Sequence, residues 1–187
     1  MIERTLAVIK PDGVYRHLIG EIIKRFENIG LKIVGMKMMW PDENIASNHY
    51  QISPDWVKSV AEKTRKSYKE KGVDLKETDE QIAKKIGDMN KSFLKEGPVV
   101  ALVLEGPHAI ELSRKIVGHT EPRQALPGTI RGDLSFESYQ LSDSKNRSVR
   151  NLIHASSNIN EAKREIALWF NNDVIYSYRS AYDKHIN

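Results

Sequence analysis

The sequence predicts an α/β (α+β) fold, a ferredoxin-like sandwich whose antiparallel four-stranded sheet is covered on one side by helices. Two observations carry that prediction. Apolar runs of strand length alternate with segments of helical period in the order strand, helix, strand, helical hairpin, strand, helix, strand, helix. The 187 residues also hold no internal repeat and no linker that would divide them, so residues 1–187 are expected to form one domain.

Each element has its own signature. Arg4 to Ile9 (RTLAVI) reads as a buried strand, ended by a sharp loop at Lys10-Pro11-Asp12-Gly13. Ile22, Ile23, Phe26 and Ile29 then recur at helical spacing, with Gly30 closing the helix. A strand returns over Leu31–Met39, with Leu31, Ile33 and Gly35 on one face, and a short helix runs from Pro41-Asp42-Glu43 to His49-Tyr50. Ser53-Pro54 opens a polar helix bearing Trp56, Val57 and Val60. Thr78 with Gln81 is a capping box for a second helix, striped by Ile82, Ile86, Met89 and Phe93. Residues 53–95 are thus a charged helical hairpin inserted into the sheet's framework.

Pro98–Leu104 (PVVALVL) is the most continuous apolar run and demands burial on both faces, as in a central strand. A helix over 107–117 follows. Residues 118–133 and 135–150 read as loops, the second an exposed, Ser-rich insertion. Leu152 and Ile153 form a last short strand ending on His154. Asn158 with Glu161 caps a helix whose apolar face is Ile159, Ala162, Ile166, Trp169 and Phe170.

Composition excludes several classes. The chain has no cysteine, hence no disulfide framework and no thiolate metal site. No run is long enough to span a bilayer, and the chain opens on a strand rather than a leader, so a cytoplasmic protein is expected. A net charge of +4 and a pI near 9.1 favour an anionic ligand.

The candidate site grows from His154 and Glu165. A carboxylate beside an apolar stripe is costly unless paired, and the upstream histidine is its natural partner. A histidine at a strand end is ordinarily structural; the other residues here argue otherwise. Lys10, Arg114, Arg131 and His154 fall at strand ends, in loops or late in a helix, with Thr120, Thr129 and Asn151 as uncharged donors. Two arginines and a lysine suit a polyphosphate. The chain has neither a P-loop nor a GxGxxG loop, so a carboxylate-tethered histidine that itself takes the phosphoryl group is the reading the residues allow.

Segments ERTLAVIKPDGV, GEIIKRF, HY, GPVVALVLEG, PGTIRGD and NLIHAS followed by EIALWF closely resemble the nucleoside diphosphate kinases, over residues 1–50, 97–134 and 150–170. The resemblance implies that His154 is the phosphorylated histidine, held by Glu165 with Ser156 nearby. It implies that Lys10 contacts ribose and transferred phosphate, that Asn151 lies on the ribose 3′ side, and that Arg114, Thr120 and Arg131 grip phosphates. Tyr50 is the tyrosine of the family's HY pair. Magnesium is expected on the nucleotide phosphates, with no dedicated protein ligands. Nucleoside tri- and diphosphates are the implied partners, ATP the main donor, in a hexameric or tetrameric homo-oligomer without membrane or nucleic acid.

The sequence departs from the family pattern in places. The Pro-Phe-Phe segment that stacks on the base is replaced by the hairpin, leaving Trp56 or Ile86–Phe93 as the expected platform, with Trp56 preferred. HGSD reads His154-Ala155-Ser156-Ser157 and ETNP reads His119-Thr120-Glu121-Pro122. Rival readings are an RNA-binding module, which needs aromatics on the central strands, and a non-catalytic member, which would have lost His154, Lys10 or an arginine.

Overall fold

The computed structural model describes residues 2–69 and 72–186. In chain order the elements are β1 (Ile2–Ile9), α1 (Pro11–Tyr15), α2 (Ile19–Asn28), β2 (Lys32–Met39), α3 (Glu43–His49), α4 (Pro54–Lys69), α5 (Asp79–Leu94), β3 (Val99–Pro107), α6 (Ala109–Val117), α7 (Ile130–Leu134), α8 (Tyr139–Ser144), β4 (Ile153–Ala155), α9 (Ile159–Trp169) and α10 (Asp183–Ile186). The sheet order is β2-β3-β1-β4, and each neighbouring pair is antiparallel. None of the described helices is long and apolar enough to cross a membrane.

Helices cover both faces of the sheet, not one. Ala7, Ile9, Leu102 and Leu104 pack with Ile22 and Phe26 of α2 and Ala109 and Val117 of α6. Leu6, Val8, Ala101 and Val103 point the other way, onto Ala46 of α3, Leu94 of α5, Trp169 and Phe170. The unbroken apolar runs of β1 and β3 already require this, because a strand with one wet face would alternate. β2 cannot alternate simply either. Its register slips between Ile33 and Gly35, so Gly35 faces Phe170 rather than joining Leu31 and Ile33.

Three expected loops are partly helical. Pro11 sits at the first position of α1 instead of breaking the chain. Gly13 lets that helix approach β1 and β4: a Cβ there would stand 2.8 Å from Ile9 Cγ2 and 3.0 Å from the Leu152 carbonyl. Thr129 caps α7 by accepting the Gly132 N–H at 3.1 Å. Segment 135–150 holds α8 and buries Glu137, Ser142 and Ser148. It has no apolar period because polar pairs hold it: Glu137 takes two bonds from Arg147, at 2.7 and 3.1 Å, and Ser148 donates to Asn90 of α5 at 2.6 Å.

The expected caps are present at α4 and α5. Ser53 Oγ accepts from Trp56 N at 3.2 Å, and Thr78 and Gln81 exchange both capping-box bonds at 2.9 and 3.3 Å. At α9, Asn158 accepts from Asn160 and Glu161, but the Glu161 carboxylate turns to Ser157 rather than closing a box. Ile159 is 47% exposed there, so the buried face starts a turn later, at Ala162.

The bulge makes a stability prediction. An alanine at Gly35 would set its Cβ 3.3 Å from both Phe170 and Val103, in a filled core. Gly35→Ala should destabilise the fold by about 1–3 kcal/mol. Gly20→Ala, with open space around it in α2, should be stabilising by up to about 1 kcal/mol. Urea denaturation of both variants checks the pair.

Candidate active site

The register of β4 delivers the histidine. β4 pairs with the last residues of β1, setting His154 opposite Val8, two residues before Lys10. Leu152 adopts a left-handed φ of 67°, which its neighbours hold in place. Its N–H donates to Asp12 Oδ2 at 3.0 Å, and its carbonyl accepts from Lys10 N at 2.8 Å. Strand end and histidine strand are thereby stitched together.

His154 Nε2 lies 2.9 Å from Glu165 Oε2, the pairing expected from sequence. Ser156 donates to the same oxygen at 2.6 Å. Glu165 is 1% exposed, and burial raises its pKa. Burial drives the His154 pKa well below its ordinary value, and Lys10, Arg131 and Arg114 add to the fall. The ring is therefore neutral, with Nε2–H donated to the carboxylate and a lone pair left on Nδ1.

The expected cations gather around it in different ways. Lys10 Nζ donates to Asn151 Oδ1 at 2.8 Å and lies 5.5 Å above the Phe93 ring. Burial first, then Arg131, lowers its pKa to about 7. Arg131 spends its guanidinium on backbone, reaching the carbonyls of Asn151 (3.0 Å), Gly118 (3.0 Å) and Ile153 (2.6 Å). It braces β4 through three N–H groups, which leaves two of the guanidinium's five and its fixed charge for a phosphate. Arg114 is exposed and makes one long bond, 3.4 Å, to the Ala155 carbonyl. Asn151 bridges Lys10 to the Thr120 carbonyl, which its amide reaches at 2.9 Å. Thr120 itself is exposed, whereas Tyr50 is half-buried with its pKa raised by burial and by Glu165.

The Trp56 indole lies on the seam of the hairpin, Cη2 3.6 Å from where a Cβ on Gly87 would stand, the contact an anchoring role requires. Phe93 is buried beneath the cations, with Arg150 stacked on it at 4.1 Å. Arg150 is held in turn by Glu96 at 2.5 and 2.9 Å.

His49 was not singled out from sequence. It closes α3 with its ring edge-on to those of His154 (4.4 Å), Tyr50 (4.8 Å) and Trp169 (5.5 Å). Its signal is legible in retrospect: a histidine three residues after buried Ala46, on the inner face of a capped helix.

With that geometry in place, the family model described as nucleoside diphosphate kinase matches residues 3–56 and 75–175. The chain belongs to the nucleoside diphosphate kinase family. A nucleoside diphosphate kinase of Pyrobaculum aerophilum is 42% identical over 181 residues, 93% of this chain and 98% of that one. The solved NDP kinase from the same organism superposes with a TM-score of 0.90 at 40% identity, covering 95% of this chain and all of that one. The Borrelia burgdorferi nucleoside diphosphate kinase, solved as a transition-state mimic with vanadate and ADP, gives 0.83 at 37% identity over 98% and 96% of the two chains. A halophilic nucleoside diphosphate kinase from Halobacterium salinarum, solved with CDP, gives 0.72 at 33% identity over 100% and 99%. At 93% coverage of this chain, most of the 43-residue span 53–95 has counterparts in the Pyrobaculum kinase, so the hairpin is shared within the family.

The buried lysine makes a pH prediction. Lys10 is charged below about pH 7 in the folded chain and below about 10.5 in the unfolded one. Its burial therefore costs most below pH 7, and that cost is relieved as pH climbs from 7 toward 10.5. Lys10→Met should raise stability by about 1–4 kcal/mol at pH 6, with a gain that shrinks toward pH 10. Thermal melts across that range measure it.

Proposed function

We propose that this kinase works by a two-step exchange through a phosphohistidine at His154, and one observation supports it above the rest. The neutral imidazole is oriented by Glu165 and Ser156, presents Nδ1 to a cleft edged by Lys10 and Arg114, and has nothing else to do there. In the first half-reaction Nδ1 attacks the γ-phosphorus of a nucleoside triphosphate. The N–P bond forms as the bond to the β–γ bridging oxygen breaks, and the diphosphate leaves with that oxygen. A second diphosphate then attacks the same phosphorus, returning the electron pair to Nδ1. A phosphoramidate suits both directions because nitrogen is a ready leaving group once its ring charge is held.

The other residues divide the work. Glu165 keeps the Nε2–H bond as the ring gains positive character. Lys10 and Arg114 meet the oxygens of the transferred group, and Arg131 contributes charge from behind β4. Thr120 offers its hydroxyl to phosphate, with Tyr50 and Asn151 toward the ribose. ATP, the abundant cellular triphosphate, is the expected donor, and the cytoplasm the expected compartment. Complexes of the Borrelia and Halobacterium enzymes with ADP and CDP support nucleotides of both base classes as ligands.

The residues present fit magnesium brought in on the phosphates. Nearby carboxylates each hold a donor on one oxygen: Glu165 takes His154 and Ser156, Glu121 takes Tyr139 N–H, and Asp12 takes Leu152 N–H on Oδ2 while its buried Oδ1 has no hydrogen-bond partner among the described residues. Among the described residues, the cluster with ligand spacing is His49–His154–Glu165, rich in nitrogen where magnesium prefers oxygen. Bound with the nucleotide, Mg²⁺ would neutralise phosphate charge.

We read residues 1–187 as one domain that carries the hairpin and segment 135–150 as additions. It assembles as a homo-oligomer through the sheet edge. Met36, Met38 and Trp40 stand 58–62% exposed along β2, an edge strand whose first half alone is covered by the tail, through Tyr176 N to the Val34 carbonyl at 2.7 Å. An antiparallel edge can pair with its own copy about a two-fold axis. Met38→Lys should lower the mass seen in sedimentation, and an unchanged mass would rule this edge out.

Labelled ATP without acceptor tests the chemistry. The protein should take up label that is lost in acid and kept in base, and His154→Ala should take up none. Acid-stable label, or label on the alanine variant, would sink the reading. Glu165→Gln should slow phosphorylation about 10- to 100-fold, as removal of an orienting charge does, without abolishing it.

A further inference from the structure

His49 is buried to 4% beside the nucleophile, yet the exchange mechanism gives it no task. Its Nδ1 faces two groups at once. Trp169 Nε1 stands 3.2 Å away, and Glu165 Oε1 stands 3.4 Å away. Indole nitrogen can only donate, and a carboxylate oxygen can only accept. A single ring nitrogen has one in-plane position, so it serves one neighbour and fails the other. Trp169 is 1% exposed, and its N–H meets hydrogen-bond geometry at Nδ1, where the carboxylate stands farther off. Nδ1 therefore keeps its lone pair for Trp169, and the His49 proton sits on Nε2, which has no hydrogen-bond partner among the described residues. Desolvation and the neighbouring His154 hold the ring neutral, far below its ordinary pKa.

The consequence falls on Glu165. Its Oε2 receives both His154 Nε2–H and Ser156 O–H. Its Oε1 faces a nitrogen lone pair, and the nearest cation, Arg164 Nη2, stands off at 3.6 Å. A carboxylate starved of donors on one oxygen accepts more strongly at the other. The bond to His154 is thereby strengthened, and with it the electron density at Nδ1 of the attacking ring.

We propose that His49 is a positioning residue for the nucleophile: locked by Trp169 into the tautomer that withholds a donor from Glu165, it keeps that carboxylate's demand directed at His154. This rests on His154 being the phosphorylated residue. His49 touches no nucleotide in this scheme, so its effect belongs to the phosphoryl step and not to substrate binding.

Two variants separate the idea from packing. Trp169→Phe removes the donor and frees Nδ1 to take the proton and give it to Oε1. It should slow single-turnover phosphorylation by ATP about 10-fold with the half-saturating ATP concentration unchanged. The downfield proton resonance of His154 Nε2–H, absent in His154→Ala, should move upfield in it. His49→Phe keeps a ring and, like the proposed tautomer, gives Oε1 no donor, so its rate and resonance should stay near those of the wild type. The double variant should regain both relative to Trp169→Phe, because no ring nitrogen is left to donate. Wild-type rate and resonance in Trp169→Phe overturn the proposal, as does a double variant as slow as Trp169→Phe. Should the variants at His49 not fold, Trp169→Phe alone decides it: a loss of rate without the upfield move of the resonance is a packing effect and is equally fatal. Failure of the wild type to take up label would instead refute the phosphohistidine reading itself.

Discussion

A carboxylate buried to 1% organises this molecule. An unpaired charge at that depth would cost far more than the margin by which a domain of this size is stable. Glu165 is tolerable only because β4 brings His154 and Ser156 to one of its oxygens while α3 and α9 close around the other. That requirement fixes the register of the three-residue strand against β1, since a one-residue slip would turn His154 to the opposite face. It also explains why so short a strand is held by side chains and odd backbone: Leu152 in a left-handed conformation, Asp12 on its N–H, Arg131 on the carbonyls either side.

The cation cluster poses the opposite problem. Lys10, Arg131 and Arg150 crowd together, and burial first, then Arg131, lowers the pKa of Lys10 to about 7. The fold manages it by giving each cation a separate neutral or anionic partner. Lys10 has the Asn151 amide, Arg131 has backbone carbonyls, and Arg150 has Glu96 and the Phe93 face. A polyphosphate entering the cleft would supply what these partners cannot, a full negative charge. The site is in that sense built ready and kept at a cost, which is how preorganised electrostatics work.

Most of the framework could be read from the chain because period and punctuation agree there. The runs RTLAVI and PVVALVL, the Thr78–Gln81 box and the Asn158 cap all state local preferences that packing does not overrule. The His154–Glu165 pair was legible for a related reason: a carboxylate on an apolar stripe demands a partner. Other features have no local signature. The bulge at Val34–Gly35 depends on Phe170, more than a hundred residues away. Segment 135–150 looks like solvent-exposed loop because burial by ion pairs leaves no apolar period. His49 reads as half of an HY pair, and only the approach of Trp169 and Glu165 to one ring nitrogen gives it meaning. Arg131's bonds to carbonyls and Trp56's place on the hairpin seam have no sequence signature either, since both depend on residues brought up from elsewhere in the chain.

The hairpin and segment 135–150 are both fastened where they approach the site. α5 brings Phe93, its last residue but one, under Lys10, and Glu96, two residues past its end, grips Arg150, the neighbour of Asn151. Segment 135–150 is tied to the same helix by Ser148 and Asn90, and to the Thr120 loop by the Tyr139 N–H on buried Glu121. Residues 57–74, which take in most of α4, fall outside the family match, while 75–95 fall within it. A helix end forming the wall of a cation cluster cannot move without moving the charges. α5 is thus better understood as one wall of that cluster than as an ornament on a finished domain.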